Sequence, residues 1–187
     1  SREEAFAVLE PILVEREEHE RLVTLLDTLV ANREDPAGRI DSLHRMGSIT
    51  ETHLREPQRA FVCFGRALRE QVDHGPSMEA VERLAATHVL WEELTALLGQ
   101  ISQELSDPNQ QCRLQLRSAE VLKDEIADLD RAIEAYCAIL DDHPDDATAL
   151  EALDELYVRT ERWSELRTIL ETQVDRAQDV EERTALY

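Results

Sequence analysis

The chain has 187 residues, with 20 Lys and Arg against 41 Asp and Glu, a formal charge of −21. Apolar residues make up 42% and aromatics 4%, with five Gly and six Pro. That apolar share excludes a disordered acidic tail, the scarcity of Gly, Pro and β-branched residues excludes an all-β sandwich, and the charge disfavours phosphate backbones and anionic membranes.

The apolar pattern predicts helices throughout. They are expected near 3–15, 19–33, 36–54, 57–72, 76–88, 90–105, 108–126, 129–142, 146–159 and 162–176, with a last one beginning near 179. In the 162–176 segment, Trp163, Leu166, Ile169, Leu170 and Val174 follow the spacing of one helix face. Asp35-Pro36 and Asp107-Pro108 read as an N-cap followed by proline at the first helical position, where a missing N–H costs nothing. Pro144, within Asp141 to Asp146, ends one helix before the next begins, and Asp145 or Asp146 is expected to cap that next helix. Connections this short make successive helices antiparallel.

The helices repeat. Trp91-Glu92-Glu93-Leu94 to Leu98 aligns with Trp163-Ser164-Glu165-Leu166 to Leu170, 72 residues later, and His19 to Leu26 occupies the same register one step earlier. The same ungapped offset pairs Asp35-Pro36 with Asp107-Pro108, Arg59-Ala60 with Arg131-Ala132, Phe64 with Tyr136 and Leu84 with Leu156. Each unit holds four helices, or two hairpins of about 36 residues. The reading is a single array over 1–187, with units near 5–76, 77–148 and a truncated 149–187. Trp91 and Trp163 are expected at equivalent core positions, with Trp163→Ala costing about 3–5 kcal/mol. The final helix begins near Val180 and stops at Tyr187 in mid-unit, which reads as an excerpt of a longer chain.

Ala132-Ile133-Glu134-Ala135-Tyr136 with Pro144 eight residues on, and Ala60 with Phe64, resemble the second helix of a tetratricopeptide repeat. Gly47 and Ala119 stand where that family has small residues in the preceding helix. The alternate hairpin departs from the pattern, with Leu22/Leu26, Leu94/Leu98 and Leu166/Leu170 in place of Ala-x-x-x-Phe. The resemblance covers the whole chain. It implies an all-α, right-handed solenoid of antiparallel helical hairpins, a TPR-like superhelix, whose first helices line a concave face where a protein or peptide lies.

Carried over position by position, the resemblance puts Arg45, Arg83, Arg113, Arg117, Lys123 and Arg159 on or near that groove. Asp41, His44, Glu51, Glu79, Glu120, Glu151 and Glu155 share it. Such cations could seat a peptide carboxylate through bidentate arginine contacts; alternatively they neutralise neighbouring acids on a solvated helix. The lysines and asparagines of a chaperone-type carboxylate clamp are reduced here to Lys123, Asn32 and Asn109.

No catalytic pattern emerges. None of the six histidines has Glu three positions earlier, H-E-x-x-H is absent, and the five glycines are isolated, so neither a di-iron bundle nor a phosphate loop is indicated. The acids around His143 lack the glycine turn of a calcium loop. Cys63, Cys112 and Cys137 are too widely spaced for a disulfide framework and read as small buried or half-buried thiols. No apolar run approaches the roughly 20 residues of a membrane span. The expectation is a non-enzymatic binding scaffold without cofactor or metal. It would be cytoplasmic, with a protein or peptide partner and neither nucleic acid nor membrane. The alternative is a self-assembling or spacer module associating through its array ends, and a helical metal protein or enzyme ranks below both.

Overall fold

Acid-capped helix starts and short connections set the architecture. The computed structural model describes residues 2–171. Helices α1 (Arg2–Glu15), α2 (His19–Asn32), α3 (Pro36–Ile49), α4 (Pro57–Glu70), α5 (Gly75–His88), α6 (Trp91–Glu104), α7 (Pro108–Asp124), α8 (Leu129–Asp142) and α9 (Ala147–Arg159) follow one another, and α10 covers 163–171. Among the described residues there is no strand. The expected last helix near 179–187, and Val174 with it, lie outside the described residues.

Asp35 accepts from the Gly38 N–H at 2.8 Å and Asp107 from the Asn109 N–H at 3.0 Å, each ahead of its proline. Asp128 and Asp146 cap α8 and α9 in the same way, at 3.1 and 2.8 Å. These carboxylates satisfy N–H groups that the helix leaves orphaned, and their charge complements the positive end of its dipole.

The repeat extends to the backbone. Five non-glycine residues have positive φ: Glu17, Val89 and Glu161 at 54–57°, and Arg55 and Ala127 at 58° and 59°. The first three are spaced by 72 residues, and so are the last two. Each of the first three closes a helix with a bond reaching back five residues: Glu18 N–H to Leu13 O, Leu90 to Ala85, and Arg162 to Tyr157, all at 2.9–3.0 Å. At the second pair the bond reaches back six, Glu56 to Thr50 and Asp128 to Leu122. The first of these closes a wide π-helical turn, Thr50–Leu54, so the single helix expected over 36–54 is α3 plus that turn.

The chain divides into two compact units, Ser1–Leu97 and Leu98–Tyr187, the division falling inside α6. In the first, Leu22, Val23, Leu26, Val30, Ile40, Leu43, Met46, Cys63 and Ala67 form a core cluster. Gly47 permits close approach there: a Cβ on it would stand 2.6 Å from the Phe64 ring. In the second unit, Ala119, Ala132, Ile133, Tyr136, Leu153 and Leu156 are buried together. The thiols of Cys63 and Cys112 are buried and that of Cys137 half-buried, none in a disulfide.

One core expectation fails. Trp163 is 58% exposed, and Trp91 and His19 are only half-buried. All three are the first residue of their helix, where the Cα–Cβ bond tilts toward the open N-terminal end and away from the packed face. The inward positions lie three and seven residues on, at Leu22/Leu26 and Leu94/Leu98, all at most 3% exposed. His19 instead stacks on His53 at 4.1 Å on the rim.

Candidate functional site

The first helix of each hairpin (α1, α3 and α5 in one unit, α7 and α9 in the other) carries the residues singled out from sequence. Arg45 on α3 pairs with Glu10 on α1. Arg83 on α5 grips Glu51, in the turn after α3, through both terminal nitrogens at 2.5 and 2.7 Å. The hydrogen bond from Arg83 holds the Glu51 carboxyl below the ordinary carboxylate range against the opposing effect of burial, and raises Arg83 in return. In the second unit, Lys123 on α7 reaches Glu155 on α9 at 3.4 Å, and Arg159 also contacts Glu155, at 3.3 Å. Arg117 pairs with Glu120 one turn along α7. Arg113 is exposed one turn before Arg117.

Arg45, Arg83, Arg117, Lys123 and Arg159 therefore hold carboxylates of their own chain. Three of the links cross between first helices. Both the Glu51–Arg83 and Lys123–Glu155 pairs span 32 residues, so opposite charges at that separation were a signal in the sequence, one that an i, i+4 search passes over. A second ladder joins the other helices of the hairpins: Arg59 to Glu20 and Arg66 to Asp27, both 39 residues apart, at 3.0 and 2.7 Å.

Sequence reasoning named His44 but missed its surroundings. The fully buried hydroxyl of Ser77 lies 2.8 Å from His44 Nε2 and 2.8 Å from His74 Nδ1. One hydroxyl proton serves two rings, so Ser77 donates to one and accepts from the other. His44 also meets the rings of Phe64 and His74 edge-on, each at 5.1 Å. Burial and the neighbouring His74 lower its pKa, with Asp41 acting the other way. Nothing at positions 74 and 77 marked them beforehand, because their partner comes from the preceding hairpin.

Near the α1–α2 connection, Glu17, Glu18, His19, Glu20, Arg21 and Leu54 line an open depression. Among the described residues, no group of three or more His, Cys, Asp or Glu stands where it could hold a metal ion, and no helix is long and apolar enough to cross a membrane.

The chain is an all-α protein of repeated helical hairpins. No family model matches it, and no curated protein does. Two solved structures align over 96% of this chain and 98% of theirs, both at 18% identity. They are a MamA RS-1 ArsTM double mutant, with a TM-score of 0.43, and MamA 41-end from Desulfovibrio magneticus RS-1, with a TM-score of 0.42. The assignment as a helical-repeat protein rests on the 72-residue repetition of sequence, turns and hydrogen bonds within the chain itself.

Proposed function

We propose that this chain is a non-catalytic scaffold of tetratricopeptide-like hairpins that binds a protein or peptide along the face of its first helices. The observation that carries the reading is the cross-helix ladder, Glu10–Arg45 and Glu51–Arg83 in one unit and Lys123–Glu155 in the other. It ties neighbouring first helices into one rigid polar surface within each unit. Rigid, extended and polar surfaces recognise segments of other polypeptides without reorganising, which limits the entropy lost on binding. Since most of the expected groove cations are engaged with acids of the chain, a ligand carboxylate would have to displace them. Arg113 and Arg117 on α7 remain the proposed point of entry.

Site-specific photo-crosslinking tests this. A crosslinking amino acid is placed at Arg113 on the first-helix face and, separately, at Val62, 59% exposed on the second helix α4. A partner joined from position 113 and not from 62 supports the reading. Adducts from 62 alone, or from neither, would overturn it.

A further inference from the structure

The 72-residue repeat makes α1 comparable, position by position, with α5 and α9. In α5, Ala80, Val81 and Leu84 are at most 9% exposed; in α9, Ala152, Leu153 and Leu156 are at most 8%. Both helices follow and pack against a second helix, α4 and α8 respectively. The same three positions in α1 are Val8, Leu9 and Ile12, and they are 64%, 44% and 40% exposed. The opposite side of α1 is ordinary, with Phe6 and Leu13 packed against the first unit's core. One helix therefore carries an interior-type face with nothing on it, and the molecule shows twice what covers such a face. Isolated apolar residues on a surface are unremarkable, but three at consecutive inward positions of a repeat are not.

The rim adds charge. Arg162, just before α10, pairs with Asp130, the second residue of α8. The position equivalent to Arg162 two repeats earlier is Glu18. An occupant laid on α1 as α8 lies on α9 would set its second residue toward an acid, with Glu17 and Glu20 beside it in the same depression.

We infer that the outward face of α1 docks an amphipathic α-helix of a partner polypeptide. Its stripe has the small-and-aromatic character of Ala60/Phe64 and Ala132/Tyr136, with a cation at its second residue facing Glu18. A second copy of this chain fits poorly. Its two suitable helices, α4 and α8, are already packed on α5 and α9, and two chains of charge −21 repel. This surface is separate from the first-helix face and does not depend on it.

The probe is a fluorescent synthetic peptide of residues 55–72 carrying Q58K, which places a lysine at the second helical position. A hydrocarbon staple replaces the outward residues Val62 and Arg66, so that the cost of forming an isolated helix does not mask binding. Anisotropy titration of the full chain is expected to saturate, and L9D/I12D to weaken binding about tenfold or more, since each side chain loses its burial. A peptide with Q58E should bind about threefold more weakly at low salt. If L9D/I12D melts differently from the parent, V8D on the most exposed of the three positions takes its place. Failure to saturate, or equal binding to the variant, would refute the inference. So would a concentration-dependent mass of the unliganded chain that L9D/I12D abolishes, which would make a second copy the occupant.

Discussion

Lys123 reaches Glu155 across α7 and α9 at 3.4 Å, and one repeat earlier the same two positions hold Glu51 and Arg83 with the charges exchanged. The repeat keeps the complementarity and not the residue types. Position and opposite sign are thus what the packing requires, so Glu51→Arg with Arg83→Glu should fold as well as the parent. Either single change places like charges together. In urea denaturation the coupling between the two sites is expected at about 0.5–1 kcal/mol, because Arg83 is half exposed. A coupling of zero would show that the pair orders the surface without stabilising it.

Acid should act on the first unit in two stages. His44 has a lowered pKa, so the folded chain binds its proton less readily than the unfolded chain. Its stabilising contribution is full above the unfolded value near 6.5 and declines as pH falls below it toward the folded value. Glu51 is also lowered, from 4.5, so its contribution persists through that window and is lost only as pH drops below 4.5 through its folded value. His44→Gln, which retains a hydrogen-bonding group toward Ser77, should remove the first decline and leave the second. Melting curves from pH 7.5 to 3.5 separate the two.

Helix order, the short connections and the repeat could be read from sequence because Asp-Pro starts, leucine spacing and Pro144 act locally. The sites could not. Ser77 with His44, and Glu10 with Arg45, meet only after hairpins stack, at separations that no local pattern reports. Trp163 misled for a related reason. Size and recurrence suggested core, but its place at the first residue of α10 sets it at the rim. Trp163→Ala is accordingly expected to cost less than about 1 kcal/mol, whereas Leu98→Ala, at a fully buried position, should cost about 2–5 kcal/mol. Denaturant titration of the two variants measures the contrast.

Gly47 should tolerate no side chain. Alanine would raise helix propensity by about 1 kcal/mol, yet its Cβ would lie 2.6–2.8 Å from three carbons of the Phe64 ring. Phe64 is 3% exposed and has little room to yield. The equivalent pair in the second unit is Ala119 with Tyr136, both buried, so the accommodation there was made around a methyl group. Gly47→Ala is expected to destabilise by about 1–3 kcal/mol. Adding Phe64→Leu should recover part of the loss, as equilibrium denaturation of the single and double variants would show.

Val89 offers the opposite case, a residue whose replacement by glycine should help. It closes α5 in the left-handed conformation, φ 57° and ψ 46°, with 77% of its surface exposed. Glutamates hold the equivalent positions 17 and 161, so only here does a β-branched side chain occupy that conformation. Left-handed backbone costs an L-residue about 1–2 kcal/mol, and glycine avoids this while adding about 0.5–1 kcal/mol of unfolded-state entropy. The hydrogen bond from Leu90 N–H to Ala85 O, 3.0 Å long, is retained. Val89→Gly is therefore expected to stabilise by about 0.5–1 kcal/mol, raising the melting temperature by about 1–4 °C. Val62→Gly, an equally exposed valine inside α4, should lower it, because there the backbone is helical and glycine brings only its entropic cost. Thermal melts of the two variants decide it by sign: a fall in both would mean that the turn after α5 is not held in the left-handed region in solution.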